Sequence, residues 1–464
     1  MKTLRNAKDK VSGLRFIIDQ LDLKTGLGNR FLMAQPFLVS ENQLETEFAA
    51  IEECVVLLKD KSKSKFLQIL EIKLDHIKDI QNTIKRVSAS AILDDVELFE
   101  IKSFAIFSQE ISALNIELNL SFLKLPNLQE VVEILDPDRQ NIPHFYVYSS
   151  YSEQLLKLRS AHKKALLDQP EEAEEIRLRA LQIEDAIRED LSGELTKHAP
   201  SLQSALEMVA HLDITIAKAK QATIWGLAKP VIAKNCTTFK GLFNPQVKSL
   251  LEVQQKTFQP IDIDLKSAPC LITGVNMGGK TVLLKTIGLA QFLFQFGFYV
   301  PATSASMVIV DQILLSIGDE QSELNGLSSF AAEMMNVDEI IRKSKAEKRI
   351  LVLIDELART TNPEEGKAIV NAALDILSQH NIRSLVTTHY SGLDWNGRKL
   401  RVKGLQSDKL TDQLTAKNIN DFMDYSLIDN ESEIQDKQAL QIARLLGVDE
   451  ELLEKATKYL ARTE

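Results

Sequence analysis

CLITGVNMGGKTV, residues 270–282, decides the fold: four strand-forming residues, a glycine-rich turn, a Lys-Thr pair, then an apolar run. Residues 274–281 match G-x-x-x-x-G-K-[ST], the phosphate-binding loop. The context is the one the motif needs. A short strand (Cys270 to Thr273) enters the loop, and an apolar helix (from Val282) leaves it. Gly274, Gly278 and Gly279 let the backbone curl so that N–H groups of Val275, Asn276, Met277 and their neighbours point inward at phosphate oxygens, and the helix N-terminus adds its positive dipole end. Lys280 supplies the compact positive charge at the β- and γ-phosphates, and the Thr281 hydroxyl is a Mg²⁺ ligand.

Downstream, RILVLIDE (349–356) is an apolar run ending in two carboxylates. ILVLI is apolar at every position, as a parallel strand buried on both faces must be. Carboxylates at its C-terminal end then stand beside the phosphate loop, at the sheet edge where open α/β folds bind ligands. Asp355 is expected to hold Mg²⁺ and Glu356 to act as general base toward the attacking water. His389 closes LVTTH (385–389), one helix later, where a strand-end histidine can sense the γ-phosphate.

The chain has 464 residues, with 55 Lys+Arg against 65 Asp+Glu and a net charge of −10. That charge excludes a bulk polyanion binder; nucleic-acid contact requires a local basic patch. The compact basic run KDKSKSK offers one, with Lys59, Lys61, Lys63 and Lys65. Cys54, Cys236 and Cys270 fit neither a disulfide framework nor a zinc-ligand spacing, so a cytoplasmic setting is expected. Thr281 to Val300 is long enough to cross a membrane, but it carries Lys285, Gln291 and Gln295 and follows the phosphate loop, so it reads as a buried helix.

Composition changes near residue 230. Earlier residues are rich in Leu, Ile, Glu and Lys at helical spacing; later ones alternate β-branched runs with helical stretches. The expected architecture is an all-α domain over 1–230 and an α/β P-loop NTPase domain over 231–430, mostly parallel, with helices on both faces. Within the first, residues 151 to about 222 read as a helical hairpin: Ile176, Ala180, Ile183 and Ile187 keep a 4-3-4 spacing. Its tip near Pro170 carries Glu171, Glu172, Glu174 and Glu175, an acidic end that repels a phosphate backbone.

Four stretches together resemble the ATPase domain of the MutS family: ITGVNMGGKT (272–281), GLSSFAAEM (326–334), LVLIDELARTTNPEEG (351–366) and VTTHY (386–390). The spellings GGKTVLLKTIGL (278–289) and IGDEQS (317–322) are closest to the anti-recombination branch. GLGNRFLMAQPFLVSENQLETEF (26–48) resembles the family's opening core segment, and the first half its core and lever helices. ALQIARLLGVDEELLEKA (439–456) resembles its closing helices, so 431–464 is expected to form dimerisation helices. The resemblance implies a Mg²⁺-dependent ATPase acting as a homodimer with composite sites. Ser328 and Ser329 match the signature that reaches the partner's γ-phosphate. Asn276 matches an asparagine that orders nucleotide and water, and Phe258 an aromatic residue that stacks on adenine.

Several positions depart from the pattern. Val275 replaces a proline and Ile261 an asparagine, while Ala358 and Thr360 stand where glycine is common, giving a stiffer loop after Glu356. The chain opens on core helices and ends after the closing helices, so no mismatch-reading domain is expected. The resulting expectation is a dimeric ATP-driven switch acting weakly on DNA in repair or recombination, without mismatch preference. The alternative is an ATP-driven remodeller of a protein client, such as a reactivation ATPase for a cobalamin-dependent aminomutase.

Overall fold

The computed structural model describes residues 3–168, 170–274, 279–318, 329–359, 361–406, 422–430, 440, 443–444 and 447–460. The chain divides into two compact units, one formed by residues 21–35 and 49–221, the other by 1–20, 36–48 and 222–464. Instead of one boundary near residue 230, the chain passes between units several times, inside helices α4 (Glu41–Lys59) and α11 (Ala199–Trp225) among other places.

The long elements described in the first unit are helices: α3 (Gly26–Ala34), most of α4, α5 (Ser64–Asp75), α6 (Gln81–Ser88), α7 (Asp95–Leu118), α8 (Gln129–Leu135), α9 (Glu153–Asp168), α10 (Pro170–Thr196) and most of α11. Helix α7 starts on a full capping box, in which Asp94 accepts from the Glu97 N–H and Glu97 returns a carboxylate to the Asp94 N–H. Helices α9 and α10 pair as a hairpin, tied by Arg159 to Glu184 at 2.8 Å. Ala173, Ala180 and Ile187 are buried at seven-residue spacing, the period that keeps one stripe of a helix against its partner. At the tip, Glu174 pairs with Arg177 and Glu175 with Arg179, each at 2.6 Å, so local arginines offset part of the expected acidity.

The second unit opens with α1 (Leu4–Lys8) and α2 (Leu14–Asp19) and carries two sheets. Strands β1 (Val231–Ala233), β2 (Thr237–Leu242), β3 (Ile261–Leu265) and β5 (Ser304–Val308) form a small sheet in the order β1-β5-β2-β3, antiparallel except for β1 with β5. This sheet was not expected from sequence; its strands are short and half-exposed and carry no long apolar run. Strands β4 (Pro269–Thr273), β6 (Gln312–Ser316), β7 (Ile350–Ile354), β8 (Arg383–Thr387), β9 (Arg398–Leu405) and β10 (Met423–Asp429) form the main sheet, ordered β10-β9-β4-β8-β7-β6. All its pairings are parallel except β10 with β9. Helices α12 (Pro245–Val253), α13 (Lys280–Gln295), α14 (Ser329–Ala346) and α15 (Pro363–Gln379) complete the unit, followed by a helix at Glu450–Leu460.

Residues 36–48 join the α/β unit because α13 needs them. Phe48 stacks on Phe294 with centroids 5.7 Å apart, and Phe37 meets Phe296 edge-on at 5.6 Å. The Leu38 N–H donates to the Gln295 carbonyl at 2.8 Å, and the buried Gln295 amide donates to the Leu38 and Val310 carbonyls. Two glutamines in an apolar helix are thus satisfied partners of neighbouring backbone. No helix among the described residues is long and apolar enough to cross a membrane.

Candidate nucleotide site

Register brings the site together. Ile272 on β4 pairs with Thr387 on β8, and Val386 on β8 pairs with Ile354 on β7. Gly274, Thr388 and Asp355 therefore emerge at one sheet edge, with β8 between the other two strands. Gly274 has φ of +133°, and a Cβ there would sit 3.3 Å from Val402 Cβ. Gly279, at φ of +72°, caps α13 in the left-handed region, with a Cβ position 3.1 Å from the Tyr425 ring.

Lys280 is 4% exposed, and its Nζ donates to the Gly274 carbonyl at 2.6 Å. Burial lowers its pKa; the Glu356 and Asp355 carboxylates oppose that shift. The Thr281 hydroxyl donates to Asp355 Oδ2 at 2.6 Å. The Thr387 hydroxyl donates to Asp355 Oδ1 at 2.6 Å and accepts from the Glu356 N–H at 2.8 Å. One threonine of β8 thereby aligns both acidic residues that follow β7. The Thr281 and Asp355 oxygens converge as a Mg²⁺ site requires: a hydroxyl and one carboxylate, leaving most positions to phosphate and water. Among the described residues no cluster of three or more His, Cys, Asp or Glu side chains could hold a metal without such help.

The loop after β7 is unusual. Glu356 has φ of +49° and Ala358 φ of +61°, both in the left-handed region. A non-glycine residue there costs about 1–2 kcal/mol. Glu356 also pairs with Arg359, Nη1 to Oε2 at 3.2 Å. His389 is exposed but packs against Tyr390, with ring centroids 4.3 Å apart. Partial loss of water lowers the His389 pKa below its usual 6.5; Glu356 acts against this, while Lys280 and Arg359 reinforce it.

A pocket of about 280 Å³ opens beside Gly279 and Val282, lined by Phe258, Val247, Leu251 and Tyr425. Tyr425 is held in place by Gln259, whose Oε1 accepts the Tyr425 N–H at 3.0 Å and whose Nε2 donates to Asp424 at 2.9 Å. Asp424 also pairs with Lys403 at 3.0 Å. Burial acts to raise its pKa, but donors on Ser426, Gln259 and Lys403 hold it well below the usual carboxylate range.

Residues 270–464 match the family model for MutS domain V. That part of the chain is a MutS domain V. It is 32% identical over 300 residues to the "Endonuclease MutS2" of Caldanaerobacter subterraneus subsp. tengcongensis, covering 64% of this chain and 36% of that protein. Against the protein of that name from Geobacillus thermodenitrificans it is 32% identical over 342 residues, covering 71% of this chain and 41% of the relative. For Thermus thermophilus the figures are 34% over 291 residues, 61% and 36%. The chain thus spans well under half the length of these MutS2 proteins.

The structure brings Gly274, Gly279, Lys280, Thr281, Val282, Asp355, Glu356 and His389 to one edge, with Phe258 in the adjoining pocket. Val275, Asn276, Met277, Gly278 and Ser328 lie outside the described residues, as does the side chain of Ser329, which opens α14. In the basic run, Lys59, Lys61 and Lys65 are exposed. Lys63 is half-buried and donates to the Leu118 carbonyl at 2.9 Å, so it closes the C-terminal end of α7 and is not free for a phosphate. Sequence reasoning missed Thr387 and Tyr425. Thr387 was legible in principle, since a hydroxyl ends the strand beside the acidic one; Tyr425 sits on an edge strand with no motif around it.

Proposed function

We infer that this chain is a Mg²⁺-dependent ATPase. The observation that carries the reading is the Thr281–Asp355–Thr387 chain of hydroxyls and carboxylate beside a buried Lys280. Phe258 and Tyr425, at the mouth of an apolar pocket next to Gly279, suit a purine, because base–aromatic stacking is worth roughly 1–3 kcal/mol. Mg²⁺ held by Thr281 and Asp355 would neutralise developing charge on the phosphates. Lys280 turns from the Gly274 carbonyl toward the β- and γ-phosphates, and Glu356 takes the proton of the attacking water. His389, neutral at pH 7, accepts or donates one hydrogen bond at the γ-phosphate without adding charge.

The assay is steady-state phosphate release with parallel nucleotide binding. Glu356→Gln should bind ATP but turn over roughly 10²–10⁴-fold more slowly, since an amide cannot take the proton. Lys280→Ala should weaken binding itself. Wild-type turnover in Glu356→Gln would remove Glu356 as the base.

The engine is proposed to work as a homodimer, with the Ser328–Ser329 segment completing the partner's site, and to act on DNA. The relatives' name supports the DNA reading over the protein-client one. Side-by-side stimulation by branched DNA, duplex DNA and candidate protein clients separates the two.

A further inference from the structure

Ala358 lies in the core of the α/β unit with no exposed surface, in a conformation that suits glycine. Both of its peptide groups are gripped by side chains. Its N–H donates to Glu333 Oε1 at 2.5 Å, and its carbonyl accepts from the Tyr390 hydroxyl at 2.7 Å. Glu333 lies in the first turns of α14, four residues after Ser329. Tyr390 directly follows His389. Its ring is locked against Gly366, where a Cβ would stand 2.2 Å from the hydroxyl, and its N–H donates to Thr388 Oγ1 at 3.1 Å. Ala358 in turn is two residues from Glu356, itself left-handed, and the Arg359 N–H closes the turn on the Glu356 carbonyl at 3.1 Å.

We propose that Glu333 and Tyr390 are positioning residues for hydrolysis: together they hold Ala358 left-handed, and through that turn they fix where the Glu356 carboxylate stands. The inference rests on the ATPase reading above and deepens it. A buried N–H that loses its acceptor carries the full desolvation penalty, so without Glu333 the turn has reason to leave this conformation. An acceptor that is charged makes the bond stronger than a neutral one. Glycine needs no such grip, because it enters the left-handed region without steric penalty. The clasp does for Ala358 what a glycine would do unaided. It also ties the start of α14, next to the Ser328–Ser329 segment, to the water-activating carboxylate.

The test measures kcat and KM for ATP on the full chain, below the melting temperature of every variant. Tyr390→Phe and Glu333→Ala should each lower kcat roughly fivefold to tenfold, the effect of one buried hydrogen bond, with KM within about twofold. Glu333→Gln, which keeps an acceptor oxygen, should retain more kcat than Glu333→Ala. Adding Ala358→Gly to Tyr390→Phe should recover at least half of the lost kcat, a rescue that a role confined to stability would not give. Unchanged kcat in both Tyr390→Phe and Glu333→Ala, a loss confined to KM, or no recovery with Ala358→Gly overturns the proposal. If Glu356→Gln still abolishes turnover in those cases, the ATPase reading stands while this inference falls; absence of turnover in the wild type removes both.

Discussion

The Thr281 hydroxyl reaches Asp355 Oδ2 over 2.6 Å although 74 residues separate the two in sequence. Nothing local forces this contact; it follows from β4 and β7 flanking β8 in one parallel register. Thr281→Ala should therefore raise the Mg²⁺ concentration for half-maximal activity by at least about tenfold, and Thr387→Val, which frees Asp355 Oδ1, by a similar factor. A Mg²⁺ titration of phosphate release checks both; an unchanged midpoint in Thr281→Ala would disqualify Thr281 as a ligand.

His389 gives a pH signature with a definite sign. Its pKa is lowered in the folded chain, so between that value and 6.5 the unfolded chain binds the proton more readily. Its contribution to stability is present above pH 6.5 and is lost as pH falls through the folded value. The melting temperature of wild type minus that of His389→Gln should be level near neutrality and decrease between pH 7 and 5. A flat difference over that range would mean that the imidazole is not held neutral.

The shared-site proposal has a genetic form. A subunit carrying Ser328→Ala mixed with one carrying Lys280→Ala yields a heterodimer with one doubly damaged site and one intact site. Phosphate release should partly return on mixing. With subunit exchange confirmed, no recovery at any ratio rules out sites completed in trans.

Weak DNA binding is expected to depend on three lysines of the run, not four. Exchanging Lys59, Lys61 and Lys65 for Gln should reduce the slope of log affinity against log salt by about three per engaged patch. Lys63→Gln should leave that slope nearly unchanged and lower thermal stability, because it removes the donor at the Leu118 carbonyl. Anisotropy on homoduplex, mismatched and branched DNA measures this. Tight mismatch-selective binding at physiological salt would contradict the reading.

The candidate site offers a sharper pattern to read in sequence than the fold around it. Phosphate binding constrains backbone and side chain within a few consecutive residues, so Gly274, Lys280 and Thr281 declare themselves, as do two acids closing an all-apolar strand. Tyr425 and Glu333 meet their partners across long stretches of sequence, and such contacts leave no period or spacing to read. The departure at Ala358 was visible as a missing glycine, but its left-handed conformation and the side chains that sustain it were not. The helical half was recognisable by period, whereas the attachment of residues 36–48 to α13 was hidden because a helix buried on every side has no polar face to show what covers it.

That attachment has a bearing on how the gene can be cut and recombined. A fragment beginning at residue 231 would keep the phosphate loop, the sheet and the acidic pair, yet leave Phe292, Phe294 and Phe296 without the aromatic partners Phe37 and Phe48. Exposed apolar surface of that kind invites aggregation. Because residues 36–48 belong to the α/β unit, a single cut near residue 231 is not expected to yield a self-sufficient α/β fragment.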